Sequence, residues 1–141
     1  MYVAGGSAGV AVGLLILWIV LPLGANAASS TPTTFGTIEV ADLKSMIDSN
    51  AVTVIDVRNI DPYLAAHIPG ALQIPVTMIE GEIPHLPKGK PIVTYCSCPA
   101  EESSGQAAMI LANGGISDVV ALKGGFDAWV GAGLPTASGR P

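Results

Sequence analysis

The sequence has little charge, few aromatic residues and only two cysteines. Charged residues make up 12% of the 141 residues, and 6 Lys and Arg are outnumbered by 11 Asp and Glu. The net charge of -5 has the wrong sign for a phosphate-rich partner, so nucleic-acid binding is not expected. Two cysteines are too few for a scaffold held together by disulfides. Because 50% of the residues are hydrophobic, a disordered chain is excluded as well.

The missing charge is concentrated at the N-terminus, where no charged residue precedes Glu39. Residues 10–23 form a dense apolar run, and a charge-free helix of roughly 20 residues can span a bilayer. Residues 25–27 (Ala-Asn-Ala) fit a signal-peptidase site, although no Lys or Arg precedes the run. We expect residues 1–27 to be an export signal or a retained membrane anchor, with a buried helix as the third interpretation. Either of the first two places the remaining chain in the periplasm or another extracytoplasmic space.

The rest of the chain alternates strand and helix patterns. Residues 28–36 are small, polar and Pro-containing, which is typical of a linker, and residues 37–141 form the predicted domain. Within it, β-type runs at residues 51–57, 91–96 and 118–122 are separated by helical patterns. Strands that alternate with helices pair in parallel. The predicted fold is therefore α/β, a doubly wound and mostly parallel sheet with helices on both faces, preceded by an N-terminal apolar helix.

Both cysteines follow a predicted buried strand and precede a predicted helix. In open α/β sheets, ligands bind at the carboxyl ends of the strands. Loop N–H groups and the N-terminus of the following helix stabilise an anion there. A thiolate in such a place has a lowered pKa and is nucleophilic. Cys96 and Cys98 are therefore candidate catalytic residues, and the alternative is a small buried residue at the end of a core strand.

Four segments resemble motifs of the rhodanese-like family. They are Val54-Ile-Asp-Val-Arg58, Tyr63 with His67-Ile-Pro-Gly-Ala71, Pro91-Ile-Val-Thr-Tyr-Cys96, and Leu122-Lys-Gly-Gly-Phe-Asp-Ala-Trp129. The resemblance implies the doubly wound α/β fold and sulfurtransferase activity. In that activity a loop cysteine takes a sulfane sulfur from a small donor such as thiosulfate or a polysulfide, or from a protein persulfide. The cysteine holds the sulfur as a persulfide and passes it to a thiol or another thiophilic acceptor.

The resemblance leaves the choice between the two cysteines open. Counted forward from the strand, the family cysteine is Cys96, whereas counted backward from Ser104 it is Cys98. We favour Cys98, because the residues between the cysteine and the helix build the anion cradle, and Cys96 is then a resolving partner or a strand-end residue. The expected substrate-binding residues are Pro99, Ala100, Glu101, Glu102, Ser103, Ser104 and Arg58.

Two acidic residues, Glu101 and Glu102, occupy loop positions where the family usually has basic character. Like-charge repulsion from them opposes thiolate formation and weakens the attraction for thiosulfate, which favours an uncharged or protein-bound donor. Asp56 is expected to pair with Arg58 and support the loop, and His67 to form a hydrogen bond within its turn. No metal or other cofactor is expected, since two His and two Cys at these spacings match no zinc site.

Two other functions stay open. The first is a thiol–disulfide redox protein that uses Cys96 and Cys98 together with a redox protein partner, since a C-x-C disulfide is strained and reactive. The second is a non-enzymatic binding module on the same scaffold, held at a membrane by residues 1–27. Sulfur transfer needs one cysteine, disulfide exchange needs both, and a binding module needs neither.

Overall fold

The computed structural model of the protein describes residues 35–140. The expected export signal or anchor at residues 1–27 lies outside the described residues, as does most of the expected linker. The first strand begins at Gly36, one residue before the predicted start of the domain. Within the described part, no helix has both the length and the apolar character needed to cross a membrane.

Strands and helices alternate through the described residues. The strands are β1 (Gly36–Ile38), β2 (Thr53–Asp56), β3 (Leu72–Gln73), β4 (Ile92–Tyr95) and β5 (Val119–Leu122). The helices are α1 (Val40–Asp48), α2 (Ile60–Ala65), α3 (Ile79–Glu82), α4 (Glu102–Asn113) and α5 (Gly125–Gly131). Two 3₁₀ turns, Val76–Met78 and Ile83–His85, flank α3.

The five strands form one parallel sheet in the order β1-β5-β4-β2-β3. β4 lies in the centre, with Thr94 paired to Ile55 of β2 on one side and to Ala121 of β5 on the other. Because all strands run the same way, the carboxyl ends of β2, β4 and β5 meet at one edge. The predicted parallel α/β fold is confirmed.

Each face of the sheet packs into its own apolar cluster, because side chains alternate along every strand. On one face, Val54 and Val93 belong to a cluster with helical residues of α1, α2 and α5, namely Leu43, Tyr63, Phe126 and Trp129. On the other face, Ile55 and Ile92 belong to a cluster with residues of α3 and α4, namely Ile79, Ala107 and Leu111. Full burial of each large aliphatic side chain contributes about 1.5–3 kcal/mol to folding. The buried central strands β2 and β4 therefore give a stable position to the carboxyl edge of the sheet, where the predicted site lies.

Candidate active site

The predicted site lies in the loop between β4 and α4, at the carboxyl edge of the sheet. β4 ends at Tyr95, residues 96–101 form the loop, and α4 begins at Glu102. Within this loop, Pro99 and Ala100 form an exposed turn. The loop thus starts inside the core and reaches the surface within a few residues.

Cys96 is the buried member of the cysteine pair. Its side chain points to the face covered by α4, and the residue is 1% exposed. Its sulfur accepts the Cys98 backbone N–H at 3.2 Å and lies 3.6 Å from Ser104 Oγ. Burial, followed by the hydrogen bond with the Cys98 thiol, raises the pKa of Cys96. Cys96 therefore holds its proton more tightly than an ordinary cysteine.

Cys98 is the accessible member, half-buried at the start of the exposed turn. Burial by itself raises the pKa of this thiol, but hydrogen bonds from the Cys96 thiol and from the backbone and hydroxyl of Ser103 outweigh burial. The net effect lowers the pKa of Cys98 below that of an ordinary cysteine. Ser103 lies in the first turn of α4, where free N–H groups and the helix dipole stabilise a negative charge. The surroundings thus favour the thiolate at Cys98 and the protonated thiol at Cys96.

The two loop glutamates differ in role. Glu101 has a left-handed backbone (φ 53°), and its carboxylate accepts the Gly124 N–H at 2.5 Å, so it ties the loop to the turn before α5. Glu102 is exposed and its charge raises the pKa of Cys98. The expected repulsion of a thiolate therefore comes from Glu102, whereas Glu101 has a structural partner that the sequence did not reveal.

Ser104 is buried beneath the loop and connects it to the sheet. Its hydroxyl donates to the Glu101 carbonyl at 3.2 Å, and its carbonyl accepts the Thr94 hydroxyl of β4 at 2.8 Å. Ser104 therefore fixes the distance between the strand end and the first turn of α4. It contacts the sulfur of Cys96 rather than the exposed face of the loop.

Arg58 follows β2 and joins it to the loop. Its Nε and Nη2 atoms bind the Asp56 carboxylate at 2.6–3.1 Å, and Nη2 also donates to the Ala66 carbonyl at 2.8 Å. Its Nη1 donates to Ser97 Oγ at 3.4 Å. The guanidinium carbon stands 4.2 Å from the centre of the Phe126 ring. Arg58 thus supports the loop by linking Asp56 at the end of β2 to the Ser97 side chain.

Tyr95 completes the support in a way that the motifs did not reveal. Its hydroxyl donates to Asp56 Oδ2 at 2.7 Å and accepts the Ile68 N–H at 3.1 Å. Asp56 is fully buried, so its carboxylate is held between Arg58 and Tyr95. The signal available in the sequence was a tyrosine in a buried strand, whose hydroxyl must find a partner.

His67 has the structural place that was expected. It is buried and its ring stacks on Tyr63 with centroids 3.8 Å apart. Its Nδ1 lies 2.8 Å from the Tyr63 carbonyl, which fixes Nδ1 as the donor. The described residues thus place His67 in the turn after α2, hydrogen-bonded within that turn.

Replacing Glu102 by glutamine is expected to lower the pKa of Cys98. The substitution removes the negative charge that raises the pKa, so more thiolate is present at neutral pH and alkylation of Cys98 is faster there. Above the pKa the wild type and the variant should react at the same rate. The measurement is the pH profile of iodoacetamide alkylation, assigned to Cys98 by fragment ions of the peptide that holds both cysteines, at low and high salt because screening reduces the effect.

Glu80→Gln is the matched control for this experiment. Glu80 is also exposed, but it lies beside Asn113 and Gly114 at the other end of α4, about 18 Å along a helix of twelve residues. Its removal should leave the alkylation profile unchanged. An equal shift in both variants, or no shift in Glu102→Gln, would contradict the assignment.

The fold and the site together define a class of protein. A central parallel strand is followed directly by one cysteine, a short loop presents a second thiol, and the loop leads into the first turn of a helix. This is a parallel α/β domain with two thiols in the loop after its central strand. Residues 39–132 match the family described as Rhodanese-like domain, and the chain belongs to that family.

Relatives and solved structures agree with this assignment. The chain is 34% identical over 90 residues to a sulfurtransferase of Allochromatium vinosum, and the aligned residues cover 64% of this chain and 82% of that protein. It is 34% identical over 110 residues to the uncharacterized protein slr1261 of Synechocystis sp., covering 77% of this chain and 59% of that protein. The crystal structure of the BH2092 protein from Bacillus halodurans matches with a TM-score of 0.68 and 33% identity, over 73% of this chain and 77% of that one. The chain thus spans little more than half of its Synechocystis relative.

Proposed function

We propose that this protein is a sulfurtransferase that carries a sulfane sulfur as a persulfide on Cys98. The observation that carries the proposal is the accessible Cys98 sulfur, whose pKa is lowered by the Cys96 thiol and Ser103 despite its partial burial. A thiolate is the attacking species in sulfur transfer, so the lowered pKa favours reaction at neutral pH. The Allochromatium relative is named a sulfurtransferase, which supports the same activity.

The reaction has two displacement steps. In the first, the Cys98 thiolate attacks the outer sulfur of the donor. With thiosulfate, the S–S bond breaks, sulfite leaves with the bonding pair, and Cys98 carries a persulfide anion. In the second, an acceptor thiolate attacks the outer sulfur of that persulfide and leaves with it, which restores the Cys98 thiolate. The Ser103 N–H and hydroxyl stabilise the negative charge near Cys98 in both steps.

The charges around Cys98 favour donors that carry little negative charge. Glu102 is exposed beside the loop, and the two described cations that follow neighbouring strands, Arg58 and Lys123, are already paired with Asp56 and Glu39. A thiosulfate dianion therefore meets repulsion without a free positive partner. We infer that an uncharged or protein-bound sulfane-sulfur donor transfers sulfur faster than thiosulfate at equal concentration.

The test is donor loading followed by intact-mass and peptide mass spectrometry. Treatment of the reduced protein with thiosulfate, inorganic polysulfide or glutathione persulfide is expected to add one sulfur, about 32 Da, on the peptide that contains Cys98. The Cys96→Ser/Cys98→Ser double variant is the control and should gain nothing. If none of the three donors adds sulfur to the wild-type protein or to Cys96→Ser, the sulfurtransferase proposal fails and the binding-module alternative gains support.

A further inference from the structure

The two cysteine sulfurs lie close enough to react with each other. The chain bends at Ser97, and the Cys98 N–H points back to the Cys96 sulfur at 3.2 Å. A disulfide requires Cα atoms about 4.4–6.8 Å apart, which a bent three-residue segment can provide. Both cysteines are free thiols. The geometry therefore places side by side the two sulfurs that a Cys96–Cys98 disulfide would join.

The burial of Cys96 limits what its sulfur can meet. The residue is 1% exposed and is covered on the other side by α4, so a donor or acceptor in solution cannot reach it. The sulfur that faces it is that of Cys98. Cys96 can therefore react only with a group that Cys98 already carries.

We propose that Cys96 resolves the Cys98 persulfide and releases its outer sulfur as sulfide, an activity that rests on the proposed sulfur loading of Cys98. The proton of the Cys96 thiol passes to the outer sulfur of the persulfide, which leaves Cys96 as the thiolate. That thiolate attacks the inner sulfur, the bond between the two persulfide sulfurs breaks, a Cys96–Cys98 disulfide forms, and the outer sulfur departs as HS⁻. Two electrons pass from the cysteine sulfurs to the sulfane sulfur, which is reduced to sulfide.

A dithiol reductant completes the cycle. It exchanges with the Cys96–Cys98 disulfide, becomes a disulfide itself and restores both thiols. A disulfide that closes so small a ring is strained and is reduced readily, and Cys98 presents an accessible sulfur for attack. A sulfur bound to Cys98 is thus either transferred to an acceptor thiol or released as sulfide. The concentration of the acceptor thiol determines which reaction is faster.

A single-turnover experiment tests this step. Wild-type protein is loaded with inorganic polysulfide, desalted and left without any thiol. The adduct of about 32 Da should disappear, one sulfide should be released for each loaded chain, and the final mass should be about 2 Da below that of the reduced protein. The rate should not depend on protein concentration, because both sulfurs belong to one chain. Dithiothreitol should then restore the reduced mass.

The variants Cys96→Ala and Cys96→Ser remove the attacking sulfur with two different side chains. Cys96→Ala should load more slowly, because Cys98 loses a hydrogen bond that favours its thiolate, whereas Cys96→Ser keeps a hydroxyl donor at that position. Both variants should reach the same adduct after long exposure. The adduct should then persist, with sulfide release slower by about tenfold or more than in the wild type. Sulfide release from either variant at the wild-type rate would overturn the proposal.

The two proposals fail in different ways. A wild-type protein that keeps its adduct on Cys98, releases no sulfide and never loses 2 Da retains sulfurtransferase activity but has no resolving cysteine. A sulfur found on Cys96 instead of Cys98 overturns the assigned direction of attack. A protein that takes up no sulfur on either cysteine refutes the loading step itself.

Discussion

Replacing Asp56 by alanine is expected to reduce the free energy of unfolding by about 3–5 kcal/mol, which is a large share of a small domain's stability. The Asp56 side chain is fully buried, and the Arg58 side chain bound to it is only 10% exposed. Removal of the carboxylate leaves that guanidinium without its counter-charge and the Tyr95 hydroxyl without its acceptor. Urea unfolding followed by circular dichroism measures the loss.

Asp48→Ala is the matched control for Asp56→Ala. Asp48 also pairs with a cation, Lys44, but its side chain is 60% exposed, and such pairs contribute about 0.5 kcal/mol or less. The double variant Asp56→Ala/Arg58→Met removes both buried charges and should recover part of the stability that Asp56→Ala loses. Equal losses in Asp48→Ala and Asp56→Ala would show that the buried pair contributes nothing special.

The architecture could be predicted from the sequence because its signals are local. Residues 53–56 and 92–95 are largely β-branched, with apolar side chains on both faces, which predicted buried parallel strands, and every residue of β2 and β4 is buried. The segment from Val76 to Ile83 has no clear hydrophobic period. It folds as a 3₁₀ turn and a single turn of α-helix, and a second 3₁₀ turn begins at Ile83. Such short turns are held by packing against α4 rather than by their own periodicity. The order of the strands is likewise a property of the whole chain.

The site could be predicted only in part, because its geometry depends on contacts between distant residues. The loop and the Asp56–Arg58 pair were predicted from the motifs. Cys98 was favoured over Cys96, but spacing alone allows either cysteine, and only burial shows that Cys96 faces the core. The contact from Glu101 to Gly124 joins residues in different loops and has no local signal. Charge counted along the sequence therefore overstated the repulsion that Glu101 exerts on a thiolate.

Replacing Gly125 by alanine is expected to destabilise the protein by about 3 kcal/mol or more, because it combines backbone strain with a clash inside the core. The backbone of Gly125 is left-handed (φ 58°), and an added Cβ would meet the Cys96 carbonyl oxygen. That oxygen cannot move aside, because it accepts the Phe126 N–H at 2.8 Å. Thermal and urea unfolding should both show the loss.

The substitution should also impair the site, since the oxygen that the added Cβ would meet belongs to Cys96 and the Cys98 N–H binds the same residue. We expect the folded fraction of Gly125→Ala to load sulfur on Cys98 about tenfold more slowly than the wild type, for a shift of even 1 Å can cost more than that. Gly131→Ala is the matched control, because Gly131 ends the same helix with no atom near its added Cβ. That variant should keep its loading rate and change stability by about 0.5–1 kcal/mol at most, in the stabilising direction. If Gly125→Ala were as stable and as reactive as Gly131→Ala, the close contact between the turn before α5 and the cysteine loop would have no part in holding the site.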